Sequence, residues 1–258
     1  MSTARIQSTA DGAILFDPRC AAQAEEAWFD PAAWHARGTA QGVNGGRGGA
    51  VFIDAPWGPS VLRHYRRGGA VARLLGDSYL WTGAERTRCF AEFRLLQELA
   101  RSGLPVPLPV AARYQRRGAH YRADLIVRRI ESSRTLAELL REGRCDPALM
   151  ARIGGVLAAF HERGVYHADL NAHNVLLAGD NVYLIDFDRG TLRRQGIEWQ
   201  LANLARLRRS LLKLGAARDV GEEHFDATLW QALTASYESQ RRRAPVAPVL
   251  TAIREQGA

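Results

Sequence analysis

The sequence predicts an α+β fold of two lobes with a cleft between them, the first over residues 1–130 and the second over 131–258. Three observations predict it. Short runs rich in β-branched and aromatic residues, punctuated by glycine and proline, dominate the first half. Only one long helical pattern interrupts them. After residue 130 the apolar residues recur mainly at helical spacing.

In chain order, Asp30-Pro31 marks a helix start, an N-cap residue followed by proline at the first helical position. A glycine cluster over 42–49 runs into Ala50-Val51-Phe52-Ile53, which reads as a strand, and Ser60 to Tyr65 reads as a second. Arg66-Arg67-Gly68-Gly69 forms the turn after it. A helix beginning at Thr82 or Gly83 carries Phe90, Phe93, Leu95, Leu96 and Leu99 and ends at Gly103. Leu104-Pro105-Val106-Pro107-Leu108-Pro109 cannot be helical, because proline blocks the helix and disfavours it in the residue before. Strands follow at about 111–114 and 121–130. In the second half, 135–140 and 147–163 read as helices, 165–187 as a strand–loop–strand module, and the remainder from Glu198 as mostly helical.

Composition narrows the function. The chain has 258 residues, ordinary apolar content and a net charge of +8, which favours anionic partners. No apolar run approaches the ~20 residues that span a bilayer, and the first eleven residues lack an apolar leader core. A cytosolic protein is expected. Cys20, Cys89 and Cys145 are odd in number and unpaired in spacing, so neither a disulfide framework nor a zinc site is expected. Lys213 is the only lysine, so phosphate contacts fall to arginine. Nucleic-acid binding would need a motif or aromatic stacking pattern that the chain lacks.

The decisive segment is His167-Ala168-Asp169-Leu170-Asn171-Ala172-His173-Asn174-Val175-Leu176-Leu177, followed twelve residues after Asn174 by Asp186 at the end of Val182-Tyr183-Leu184-Ile185. Phosphoryl transfer from ATP asks little covalent chemistry of a protein. It asks for metal ions at the phosphates and a carboxylate to position the attacking hydroxyl. Asp169, Asn174 and Asp186 supply hard oxygen ligands in a spacing that can hold one or two Mg²⁺ ions and a hydroxyl.

This pattern, H-x-D-L-x-x-x-N followed by a hydrophobic strand ending I-D-F, is similar to the catalytic loop and metal-binding segment of protein-kinase-like enzymes. The resemblance implies a protein-kinase-like fold in which Asp169 orients the substrate hydroxyl, Asn174 and Asp186 ligate Mg²⁺, and His167 braces the loop. Gly45, Gly46, Arg47, Gly48 and Gly49 would cover the phosphates of ATP, although their spacing departs from G-x-G-x-x-G. Arg63 stands where the nucleotide-binding lysine is usual, and Glu92, or alternatively Glu85, would be its partner. His173 reads as loop packing. Asp188, where kinases usually have glycine, is open between a further ligand and a solvated turn. The helical cluster Arg206, Arg208 and Arg209 reads as a surface face.

Only 72 residues follow Asp186 and none resembles A-P-E, so a small acceptor fits better than a peptide. Longer stretches, among them Leu62-Arg63-His64-Tyr65, Phe90-Ala91-Glu92-Phe93-Arg94 and Trp199-Gln200-Leu201-Ala202-Asn203-Leu204, resemble the lipopolysaccharide kinase family, and most of all its members acting on 3-deoxy-D-manno-octulosonic acid (Kdo). The resemblance implies transfer of the ATP γ-phosphate to the Kdo 4-hydroxyl of a Kdo–lipid A acceptor, at the cytoplasmic face of a bacterial inner membrane. Arg66, Arg67 and Arg189, with Arg73, Arg193 and Arg194, are candidates for contact with that acceptor or with anionic lipid. No protein partner can be inferred. A kinase of another sugar, such as a core heptose, or of an aminoglycoside-like molecule is the alternative. A catalytically dead kinase-like module is a third reading, which the intact Asp169, Asn174 and Asp186 oppose.

Overall fold

The computed structural model describes residues 3–42, 50–66 and 77–243. Its first half is built on an antiparallel sheet. The strands are β1 (Arg5–Ser8), β2 (Gly12–Phe16), β3 (Ala40–Gly42), β4 (Ala50–Ala55), β5 (Gly58–His64), β6 (Tyr79–Leu80), β7 (Pro109–Arg117) and β8 (His120–Arg128). Their order is β1-β2-β7-β8-β5-β4-β3, with β6 also paired to β8. The β1–β2 hairpin is absent from the expectation above. Ala13 to Phe16 is a continuous apolar run rather than an alternating one, because β2 is buried on both faces.

The two faces of this sheet bury different side chains, as the two-residue period of a strand requires. Leu15 and Leu125 enter the larger core, where α2 (Arg88–Arg101) lies, while Ile14, Phe16 and Ile126 point to the other side. There a 3-10 turn and α1 (Pro31–Ala36) cover them with Trp28, Phe29 and Trp34. Asp30 caps α1 through the Ala32 amide, as expected. Helix α2 starts later than expected: Ala84–Arg86 is a separate 3-10 turn, and Thr87, in extended conformation, divides the two. The proline strap is non-helical and joins the halves, since Pro105 accepts from the Leu184 amide at 3.1 Å and Leu108 from that of Arg128 at 2.8 Å.

The second half holds α3 (Leu136–Arg141), α4 (Pro147–Glu162), α5 (Ile197–Lys213), the short α6 (Glu222–Phe225) and α7 (Gln231–Arg243). Helix α3 begins with a reciprocal Thr135–Glu138 capping box. A small sheet of β9 (Arg134–Thr135), β11 (Val175–Ala178) and β12 (Asn181–Leu184) carries the loops bearing Asn174 and Asp186, and β10 (Val165–Tyr166) pairs with β13 (Thr191–Leu192). Helices α4 and α7 pack so closely that a Cβ at Gly154 would lie 2.1 Å from the Leu233 carbonyl oxygen. Only glycine fits there. The result is a strand-rich half and a helix-rich half, joined through the strap and the side chains described next.

Candidate active site

The segment from His167 to Asn174 connects β10 to β11, and Asp186 follows β12, so the β11–β12 hairpin returns the chain to where the loop began. The closure is specific. His167 is buried, and its Nδ1 accepts from the Asp169 amide at 3.2 Å, which fixes the proton on Nε2. That Nε2–H donates to the Ile185 carbonyl at 2.9 Å. The Ile185 amide in turn donates to the Asn174 carbonyl at 3.0 Å. Both backbone polar groups of the residue before Asp186 are thereby tied to the 167–174 loop. Burial, partly offset by the bond to Ile185, holds the His167 pKa below its ordinary value, so the ring is neutral and serves as a brace.

Asn174 uses its amide nitrogen to donate to the Asp169 carbonyl at 2.9 Å, which leaves Oδ1 as its remaining oxygen. Asp186 has φ of 62°, a left-handed conformation that costs a non-glycine residue about 1 kcal/mol or more. The tethers on Ile185, together with a 3.1 Å bond from the Phe187 amide to Glu92, hold it there. One Asp186 carboxylate oxygen pairs with Arg63, and the carboxylate also accepts from the Asp188 backbone amide. Two hard oxygens on residues linked by backbone hydrogen bonds are a donor set that fits Mg²⁺.

Arg63 comes from β5 and bridges two carboxylates, Asp186 and Glu92. Glu92 is buried on α2 and also accepts from the Tyr65 hydroxyl. Burial pushes the Glu92 carboxyl up while the Arg63 guanidinium pulls it back. Burial also acts to raise Asp186, but Arg63 overcomes it and holds that carboxyl below its usual range. The choice between Glu92 and Glu85 is thus decided by position: Glu85 lies at the surface and pairs with Arg94 at 3.1 Å.

Asp188 is neither solvated nor free. It forms a two-pronged pair with Arg88 of α2, one arm at 2.7 Å, and the Arg88 guanidinium lies over the Tyr79 ring at 4.7 Å. Residues 186–188 are therefore fastened to α2 three times, through Arg63–Glu92, Phe187–Glu92 and Arg88–Asp188. His173 is exposed, and its amide closes an Asx turn with Asn171.

The 167–174 loop is registered against α5. Asn203 exchanges both hydrogen bonds with the His167 backbone, at 3.2 and 3.0 Å, and Ser210 accepts from the Ala172 amide at 3.1 Å. Between them Arg206 donates to Asp169 Oδ1 at 3.0 Å. Arg206 therefore departs from the expectation of a bare surface face, whereas Arg208 meets it, pairing with Glu222 and Asp226 at the surface. Arg88, Asn203 and Arg206 were invisible in the sequence as site residues. The one available signal was the spacing 203, 206, 210, which puts three polar side chains on one helical stripe.

Among the acceptor candidates, Arg66 and Arg189 are exposed. Arg67 and the covering residues Gly45, Gly46, Arg47, Gly48 and Gly49 lie outside the described residues. A cavity of about 580 Å³ lined by Arg152, Asp180, Tyr183 and Ser236 shares none of these groups and belongs to another face.

Comparison with known proteins identifies the family. The model of the lipopolysaccharide kinase (Kdo/WaaP) family matches residues 31–237. The chain is 54% identical over 210 residues to a 3-deoxy-D-manno-octulosonic acid kinase of Xanthomonas campestris pv. campestris (strain B100), covering 80% of this chain and 83% of that protein. It is 50% identical over 217 residues to a protein of the same name from Stenotrophomonas maltophilia (strain K279a), with 83% and 86% covered. Among solved structures it resembles WaaP in complex with acyl carrier protein, with a TM-score of 0.50, 15% identity and 78% of each chain covered. That last likeness shows a shared kinase-like fold.

Proposed function

The chain belongs to the lipopolysaccharide kinase (Kdo/WaaP) family, and from that premise we infer that it transfers the γ-phosphate of ATP to the 4-hydroxyl of Kdo on a Kdo–lipid A acceptor. It is a kinase acting on Kdo in lipopolysaccharide core biosynthesis. The observation that carries the reading is the double tether of Ile185, which sets Asp186 beside the loop bearing Asp169 and Asn174.

In this reading Asp169 receives the acceptor hydroxyl on the carboxylate oxygen that Arg206 leaves free, takes its hydrogen bond and aims the oxygen at the phosphorus. Asn174 Oδ1 and the second oxygen of Asp186 would hold Mg²⁺, which when bound neutralises charge on the transferring phosphates. His167 keeps both loops in register as a neutral ring. Arg63 stands in for lysine: its planar guanidinium spans two carboxylates at once, which a single ammonium does less well. Gly45, Gly46, Arg47, Gly48 and Gly49 cover the nucleotide, and Arg66, Arg67 and Arg189 meet the acceptor or the lipid around it.

The lobe boundary belongs to the same proposal and falls at 130/131: the large sheet closes at Arg128, and β9 already pairs in the small sheet of the second half. We place the protein peripherally on the cytoplasmic face of the inner membrane. Its net charge of +8 suits an anionic surface, and among the described residues no helix is long and apolar enough to cross a bilayer. The acyl carrier protein in the solved relative is that protein's partner; the partner proposed for this chain is a glycolipid.

The test incubates purified protein with Mg-ATP and Kdo–lipid A and reads one added phosphate by mass spectrometry, with a heptose-bearing core fragment alongside. Addition to the heptose fragment alone would overturn the Kdo reading.

A further inference from the structure

We propose that Arg206 recognises the carboxylate of the acceptor sugar and so selects an acidic sugar over a neutral one. The proposal rests on the Kdo reading above. The loop from His167 to Asn174 contains no arginine or lysine, so a cation at Asp169 has to come from another element. It comes from α5, where residues 203, 206 and 210 share one stripe. Asn203 and Ser210 bind the loop's backbone and already fix its register. Arg206, between them, binds instead the side chain of Asp169, which in the proposed reading receives the acceptor hydroxyl.

Stability does not explain the contact. The two side chains are 47% and 54% exposed, and an ion pair that open contributes little to folding. Its use therefore lies with a third group. Among the described residues Arg206 has one side-chain hydrogen bond, the one to Asp169, and the guanidinium keeps further N–H donors. In Kdo the carboxylate sits on the anomeric carbon, two ring carbons from the one bearing the reacting hydroxyl. A hydroxyl seated on the open oxygen of Asp169 brings that carboxylate to the guanidinium, whose fork matches carboxylate geometry.

The experiment compares wild type, Arg206→Gln and Arg206→Lys with Kdo–lipid A and with its Kdo methyl ester, measuring KM for each acceptor and for ATP. The expected result is a preference for the acid in the wild type that collapses in Arg206→Gln. The KM for the acid acceptor should rise on the order of 10- to 100-fold, the range for a lost charged hydrogen bond, with KM for ATP unchanged. Arg206→Lys should retain part of the preference, and unchanged thermal melting should show that the variants fold. An equal loss with acid and ester would overturn the proposal and leave Arg206 as an orienter of Asp169. So would a rise confined to the KM for ATP. A wild type that modifies only a heptose fragment would sink the Kdo reading itself, and the proposal with it.

Discussion

Asp186 and Asp169 come from neighbouring loops, but the protein holds them in different ways. Asp186 is clamped: its left-handed backbone is tethered through Ile185, one of its oxygens is bound by Arg63, and the two residues after it are fastened to α2 by Glu92 and Arg88. Asp169 is open, with a half-exposed carboxylate and, among the described residues, one side-chain partner that is itself half exposed. The difference matches what each would meet. Phosphates and their metal ion demand the same rigid charge arrangement at every turnover, and preorganisation lowers the cost of reaching it. In the proposed reading a sugar hydroxyl would enter, be oriented and leave, which suits a receiver at the surface.

Removal of each carboxylate's function tests that contrast most sharply. Asp169→Ala should lower phosphate transfer by about 10²- to 10⁴-fold, the range for a lost general base, while thermal melting and nucleotide binding stay near those of the wild type. A large loss of stability would show that the open side is structural after all.

On the clamped side the expectation reverses. Arg63→Ala strands the buried Glu92 carboxylate, and breaking a buried pair from one end costs about 3–5 kcal/mol, readable as a lower urea midpoint together with a raised KM for ATP. Arg63→Lys should recover part of both. An unchanged midpoint would mean that the clamp does not support the fold.

Away from both carboxylates, a buried titratable group is His161, which bonds the Tyr237 hydroxyl at 2.8 Å and whose pKa burial lowers to about 4. The folded state therefore binds this proton less readily than the unfolded chain. The contribution is fully present above about 6.5 and is lost as pH falls toward about 4. The total is on the order of 3 kcal/mol. Urea unfolding between pH 7 and pH 4 should show a steeper decline for the wild type than for His161→Gln. Equal slopes would show that His161 titrates normally.

The smallest expected effect refines the clamp's extent. A double-mutant cycle on Arg88→Ala and Asp188→Ala should give a coupling of about 1–3 kcal/mol. It should also give the same rise in the KM for ATP from either single change. A coupling near zero would confine the clamp to Arg63 and Glu92.

Much of this contrast was legible before any coordinates. The H-x-D-L-x-x-x-N spacing and the terminal Asp186 are local, and a short loop between paired strands leaves little freedom in where its residues fall. The brace by His167 was implied only by the resemblance, since its bond to Ile185 crosses 18 residues. Other parts were not. Glu85 and Glu92 both fitted a helix starting near residue 82; only the break at Thr87 separates them. The β1–β2 hairpin escaped because its inner strand lacks alternation, although Asp11-Gly12 ahead of an apolar run was a usable turn signal.

What the sequence determined by itself, then, is the chemistry available: which oxygens and guanidinium groups exist, and which of them lie close along the chain. Tertiary structure alone decided the partnerships across distance. Arg63 meets Asp186 over 123 residues, Arg88 meets Asp188 over 100 and Arg206 meets Asp169 over 37. The physical reason is that such pairs depend on how sheet and helices pack against one another, and packing is decided by the apolar faces that bury together, not by the charges carried to their edges.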